Sequence, residues 1–308
     1  MYDVRTKTFA AASLLSIAAL IASSYAGPVA GSWAMWAVLC VCVAVFALGF
    51  PRLIGLPAPL PLGLVIALAG IGSATTAALA ASLSPLQWMG SFCAVGVVLV
   101  FLTQLLRGTG ESRRLESTLG GCVGVLIAVF GSGWVGADRL APNAADGSMM
   151  LLSGFSLAAA VLVCSLNWPA RITAPLGLLA AVLVGGISSG LSADVSVLPG
   201  AVVGAVVGAV VVCLRVMLVS EASVLRGSTI ATAAPGVPGA PTEPVVPADT
   251  EPGDEDDAAA GSPVPAATAA NAGPATAVLD PWGAIAGGIA AVIASGALVY
   301  YTERLLLH

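Results

Sequence analysis

The chain has 308 residues, of which 58% are hydrophobic and only 9% charged, with a formal net charge of −5 and a mean hydropathy of +1.00. A soluble domain has about 25% charged residues, so water is excluded as the main solvent, and the lack of a basic patch excludes nucleic acid as a partner. The lone histidine is His308, which removes nearly all histidine-based metal, general-base and proton-relay chemistry.

Run after run of about 18 to 22 residues is apolar all round, the length that crosses a hydrocarbon layer of about 30 Å. A membrane β-barrel would instead alternate apolar and polar residues, and the stretch 201–212 (AVVGAVVGAVVV) does not. The predicted fold is therefore all-α: a polytopic transmembrane helical bundle of about nine spans in a lipid bilayer.

Arg5 and Lys7 precede the first run, residues 9–24. Ser24-Tyr25-Ala26 before Gly27 offers the small residues of a signal-peptidase site, but the spans that follow favour retention as a first transmembrane helix. Runs two and three cover residues 33–50 and 62–82, separated by Pro51-Arg52 and the proline-rich stretch 57–61. Run four, 88–106, leads into a charged island with Gln104, Arg107, Glu111, Arg113, Arg114 and Glu116. Run five, 119–135, is short and rich in glycine; run six is 149–167. Runs seven and eight, 172–191 and 197–219, flank a tight turn near Asp194 and are expected to pack as an antiparallel hairpin.

At residue 222 the composition changes to Pro, Ala, Thr, Gly and acids, including Glu251 and 254–257 (DEDD). Almost no large apolar residue is present to offset the entropy of ordering, so 222–280 is predicted to be a disordered linker. Residues 281–308 carry the last span, and 1–221 form the main bundle. With the N-terminus in the cytoplasm, nine of the eleven basic residues fall inside and only Arg139 and Arg304 outside. The same alternation places the linker in the cytoplasm and the C-terminus outside a plasma membrane.

The six cysteines all lie within apolar runs, and Cys40 and Cys42, two apart, point to different helix faces. They read as packing residues, with no zinc spacing. Neither a metal nor a cofactor is expected. Asp138, Asp146 and Asp194 are too scattered for a metal site. Gly200-x3-Gly204-x3-Gly208 and Gly120-x3-Gly124 form small-residue grooves, for packing within the chain or against a homo-oligomer or membrane-protein partner. A strip at Gly287, Ala291 and Ser295 is related.

No ionisable residue lies near a predicted midplane; Arg215 is deepest, within reach of the headgroups. At the cytoplasmic span ends Gln104, Arg107, Arg113 and Arg114 are candidate contacts for a phosphate or lipid headgroup, since guanidinium groups bind phosphate oxygens in pairs.

Phe101-Leu-Thr-Gln104-Leu-Leu-Arg107-Gly, Glu116-Ser117-Thr-Leu-Gly120 and Gly131-Ser-Gly-Trp134 together resemble a family of multi-span membrane proteins of high-GC Gram-positive bacteria. That resemblance brings no activity with it. The charged loop before a glycine-bearing span also resembles the membrane half of phosphatidate cytidylyltransferases. Their run of lysines, aspartates and His-Gly-Gly before the last span is replaced here by the linker, so no catalytic residue carries over. The leading expectation is a permease-like protein for a small or lipidic solute, with helix breaks at Gly70–Gly72 or Gly185–Gly186 and a cavity at mid-depth. The alternatives are a non-catalytic accessory or scaffold protein and a phospholipid-linked membrane enzyme.

Overall fold

A computed structural model describes residues 2–26, 32–54, 59–80, 84–106, 114–140, 148–166, 168–191, 197–232 and 281–307. The described residues form ten helices: α1 (Tyr2–Tyr25), α2 (Ser32–Leu53), α3 (Pro59–Leu79), α4 (Met89–Leu106), α5 (Arg114–Phe130), α6 (Ser132–Leu140), α7 (Ser148–Cys164), α8 (Ala170–Leu191), α9 (Val197–Thr232) and α10 (Pro281–Leu307). Eight segments are long and apolar enough to cross a membrane; α5 and α6 together make one of them, and α7, with 17 residues, is the shorter ninth crossing. The chain is thus an α-helical membrane bundle.

Helix α10 is the axis. It packs on α1, α2, α5 and α6, and 83% of its apolar window is buried, against 17% for α4 at the rim. Directions follow from close approaches. Gly63 of α3 faces Ala47 of α2 and Gly70 faces Val43, an antiparallel pair. Gly288 of α10 meets Phe9 and Ser13 of α1, and Ser13 donates to the Gly288 carbonyl at 3.0 Å. Farther along, Ile17 and Val292 line one crevice, so α1 and α10 run parallel. Helix α6 also runs parallel to α10, with Gly133 against Gly296 and Ala297, then Gly136 against Tyr300.

Helices α7, α8 and α9 form a side group. Gly177 of α8 faces Cys164 of α7, Gly185 faces Ser156, and the α8–α9 approaches described below are antiparallel. This group meets the rest chiefly where α7 lies on α1.

Three sequence expectations change. Run five is not continuous: it breaks at Gly131, and its second part extends to Leu140. Helices α3 and α8 run unbroken through Gly70–Gly72 and Gly185–Gly186, because those glycines make room for neighbours: Val43 and Ala128 at Gly70, Phe92 at Gly72, Ser156 and Gly200 at Gly185. Helix α9 continues to Thr232, past the composition change at residue 222, since no proline interrupts it before Pro235. The remainder of the predicted linker, 233–280, lies outside the described residues. The chain divides into two units, Met1–Glu221 with Leu279–His308 and Ala222–Val278, and of the second only the last turns of α9 are described.

Candidate functional site

The headgroup candidates fall at the end of the bundle where α4 stops and α5 begins. Gln104 is buried and its amide donates to Ser117 Oγ at 2.6 Å, tying α4 to α5. Arg107 and Arg113 lie outside the described residues, and Arg114 is the first residue of α5. Gln104 therefore makes a helix–helix contact inside the bundle, and the three arginines lie in sequence between its two residues. In chain order Lys7, Arg52, Arg171 and Arg215 belong to this same basic end. Arg215 Nη2 donates to the Leu166 carbonyl at 3.2 Å, closing the last turn of α7.

The glycine grooves lie within the chain. On α9 a Cβ at Gly200 would strike Ser189 and Gly185, one at Gly204 the Ala181 backbone, and one at Gly208 the Ala181 side chain at 2.8 Å. All three serve the α8–α9 hairpin. A Cβ at Gly124 of α5 would stand 2.6 Å from Ile66 and 2.8 Å from Phe50, while Gly120 is buried beside Gly121, where a Cβ would stand 2.8 Å from Val100. On α10 the close backbone approaches are at Gly288 and Gly296, with Val292 midway; Ala291 and Ser295 are buried on a neighbouring line.

At the centre, α5 gives way to α6 through Gly131. The Gly131 amide bonds to the Ala128 carbonyl at 3.3 Å and Trp134 to Gly131 at 3.0 Å, tightened i→i−3 bonds in place of the regular ladder. Hydrocarbon offers no water to polar groups at this depth, so side chains bond within the bundle. Ser132 Oγ donates to the Val129 carbonyl at 2.8 Å and accepts from Ser73 of α3 at 3.0 Å. Trp134, 2% exposed, donates its indole N–H to the Val292 carbonyl at 2.8 Å. Gly131 is small because Ile293 would stand 2.7 Å from a Cβ there. Beside the break a small crevice, with room for about one water, is lined by Ile17, Leu20, Ile21, Trp134, Met150, Gly154, Leu157 and Val292. It lies between α1, α6, α7 and α10, where Gly154 leaves room for Ile21, which would stand 2.6 Å from a Cβ there.

At the opposite end α3, α6 and α10 finish together. Arg139 Nη1 donates to the Ala77 and Ala78 carbonyls at 2.9 and 2.7 Å, capping the C-terminus of α3 where a helix dipole is negative. Arg304 Nη1 reaches the Tyr300 hydroxyl at 3.4 Å. Glu303 is 5% exposed, and the half-buried Asp138 lies in the last turn of α6. In the sequence Asp138 stands only among the scattered acids Asp146 and Asp194. The available signal was a repeated acid–arginine pair, Asp138-Arg139 and Glu303-Arg304, closing two spans that alternation sends to the same side.

These features define an integral, multi-pass α-helical membrane protein. The chain matches no protein-family model, no curated protein and no solved structure, so its chemistry is argued from its own geometry.

Proposed function

We propose that this is a permease-like protein of the plasma membrane for a small or lipidic solute, with the N-terminus and the acidic linker in the cytoplasm and the C-terminus outside. The observation that carries the reading is the interrupted span α5–α6, placed against the axial helix and beside an apolar crevice. Membrane proteins that move solutes build their sites where a span is broken, and one helix group rocks against another around that point. Here the α7–α9 group meets the remainder chiefly through α1, so the crevice sits on the seam that such a motion would open. An apolar lining suits a hydrophobic solute better than an ionic one. A scaffold or accessory protein has no requirement for a broken span at its centre.

The test compares lipid and metabolite profiles of a strain lacking the protein with its parent and with strains carrying the wild type or an Ile21→Cys/Gly154→Cys pair. The reading expects a solute or lipid that accumulates on one side in the deletion, restored by the wild type. It expects the cysteine pair to restore function when reduced and lose it when oxidised. A deletion profile identical to the parent under all conditions would falsify the proposal.

A further inference from the structure

We infer that the turn between α7 and α8, clasped by Arg215 of α9, binds a phosphate group, carried by a lipid headgroup or free in solution. The guanidinium is fixed through Nη2, which donates to the Leu166 carbonyl at 3.2 Å. Its other terminal nitrogen, Nη1, is buried and has no hydrogen-bond partner, and among the described residues it is the only buried side-chain nitrogen or oxygen left so. Folded proteins pair buried polar atoms almost without exception, and a charged group is the costliest to leave alone.

The α7–α9 group supplies no counter-charge. From Ser148 to Val216 its only acid is Asp194, in the connection between α8 and α9, at the end of the hairpin away from Arg215. Glu221 follows Arg215 by six positions, about 9 Å farther along the helix. The turn itself is disposed toward an anion. Helix α8 starts at Ala170, and the Ile172 and Thr173 amides both bond to the Pro169 carbonyl, at 2.8 and 3.1 Å. The first N–H groups of a helix lack helical partners and lie at the positive end of its dipole. Arg171, which is exposed, brings a second guanidinium to this turn, and the exposed Trp168 suits the level of the headgroups.

Phosphate fits this arrangement because a guanidinium donates to its oxygens in pairs, so one ligand offsets the charge and gives Nη1 an acceptor. Arg215 as a whole is only partly buried, which leaves the guanidinium within reach of the membrane surface. The site stands independently of the permease reading, because its test measures occupancy rather than transport.

Thermal midpoints of the full chain in a neutral detergent are read against added phosphatidylglycerol, against phosphatidylcholine, whose own ammonium offsets its phosphate, and against sodium phosphate and sodium chloride at equal ionic strength. A lipid source gives a midpoint that rises saturably with phosphatidylglycerol over phosphatidylcholine; a free source gives one that rises with phosphate over chloride. In each case Arg215→Gln weakens the apparent affinity about tenfold or more. Arg215→Lys, which keeps the charge and a donor for Leu166 but not the paired N–H groups, weakens it as well. Arg52→Gln, at the same basic end, leaves it unchanged. Wild-type protein responding to neither ligand overturns the inference, whatever the folding of the variants. A response that survives both Arg215 substitutions, or that Arg52→Gln weakens equally, also overturns it, since either marks diffuse attraction to the basic end.

Discussion

Ser132 shows how one hydroxyl makes a membrane-buried break tolerable. It donates to the Val129 carbonyl and accepts from Ser73, so it links α5, α6 and α3 at one atom. Removing it takes the acceptor from the buried Ser73 hydroxyl and one bond from the Val129 carbonyl, whereas removing Ser73 leaves Ser132 bonded to Val129. Because an unsatisfied buried polar group costs about 1–3 kcal/mol, Ser132→Ala is expected to lower the thermal midpoint of the purified chain clearly more than Ser73→Ala. Equal midpoints for the two variants would show that the hydroxyl does not support the break. Neither serine stands out in the sequence, since serine is unremarkable in a transmembrane helix and the partner is 59 positions away. The burial of Glu303 was hidden for the same reason, since it comes from neighbours supplied by folding and not by local pattern.

At the scale of elements, the continuous apolar runs were sufficient for α1 to α4 and α8, because length and composition alone decide whether a helix crosses a bilayer. What it missed was continuity. Glycine marks both a helix break and a close approach, and the residue alone does not distinguish them. Gly185 and Gly186 illustrate this within an unbroken α8. A Cβ at Gly185 would strike Gly200, while one at Gly186 would meet only Val197 and Ala201, at 3.6 and 3.8 Å. Gly186→Ala should therefore be neutral or stabilising by about 1 kcal/mol, since alanine is the better helix former. Gly204→Ala forces the added carbon onto the Ala181 carbonyl and should destabilise by about 1–3 kcal/mol through overpacking. The two melting curves, taken side by side in one detergent, decide the matter; a Gly204→Ala protein as stable as the wild type would mean that the α8–α9 hairpin is not closed in this way.

For the whole molecule the argument concerns orientation. The parallel and antiparallel approaches within the bundle agree with alternating spans, which gather Lys7, Arg52, Arg171 and Arg215 at one end and leave Arg139 and Arg304 at the other. The exceptions to the positive-inside bias have local explanations. Arg139 caps α3, and Arg304 bonds Tyr300, so both are held by their own neighbourhood rather than by an anionic leaflet. With these set aside, the remaining basic residues point one way, and the basic end is expected to face the cytoplasm. In a background lacking the six native cysteines, single cysteines at positions 57, 113 and 260 should react with an impermeant maleimide only after the cells are opened. Cysteines at positions 194 and 301 should react in intact cells. Labelling of position 260 from outside would invert the linker and the last span relative to the rest.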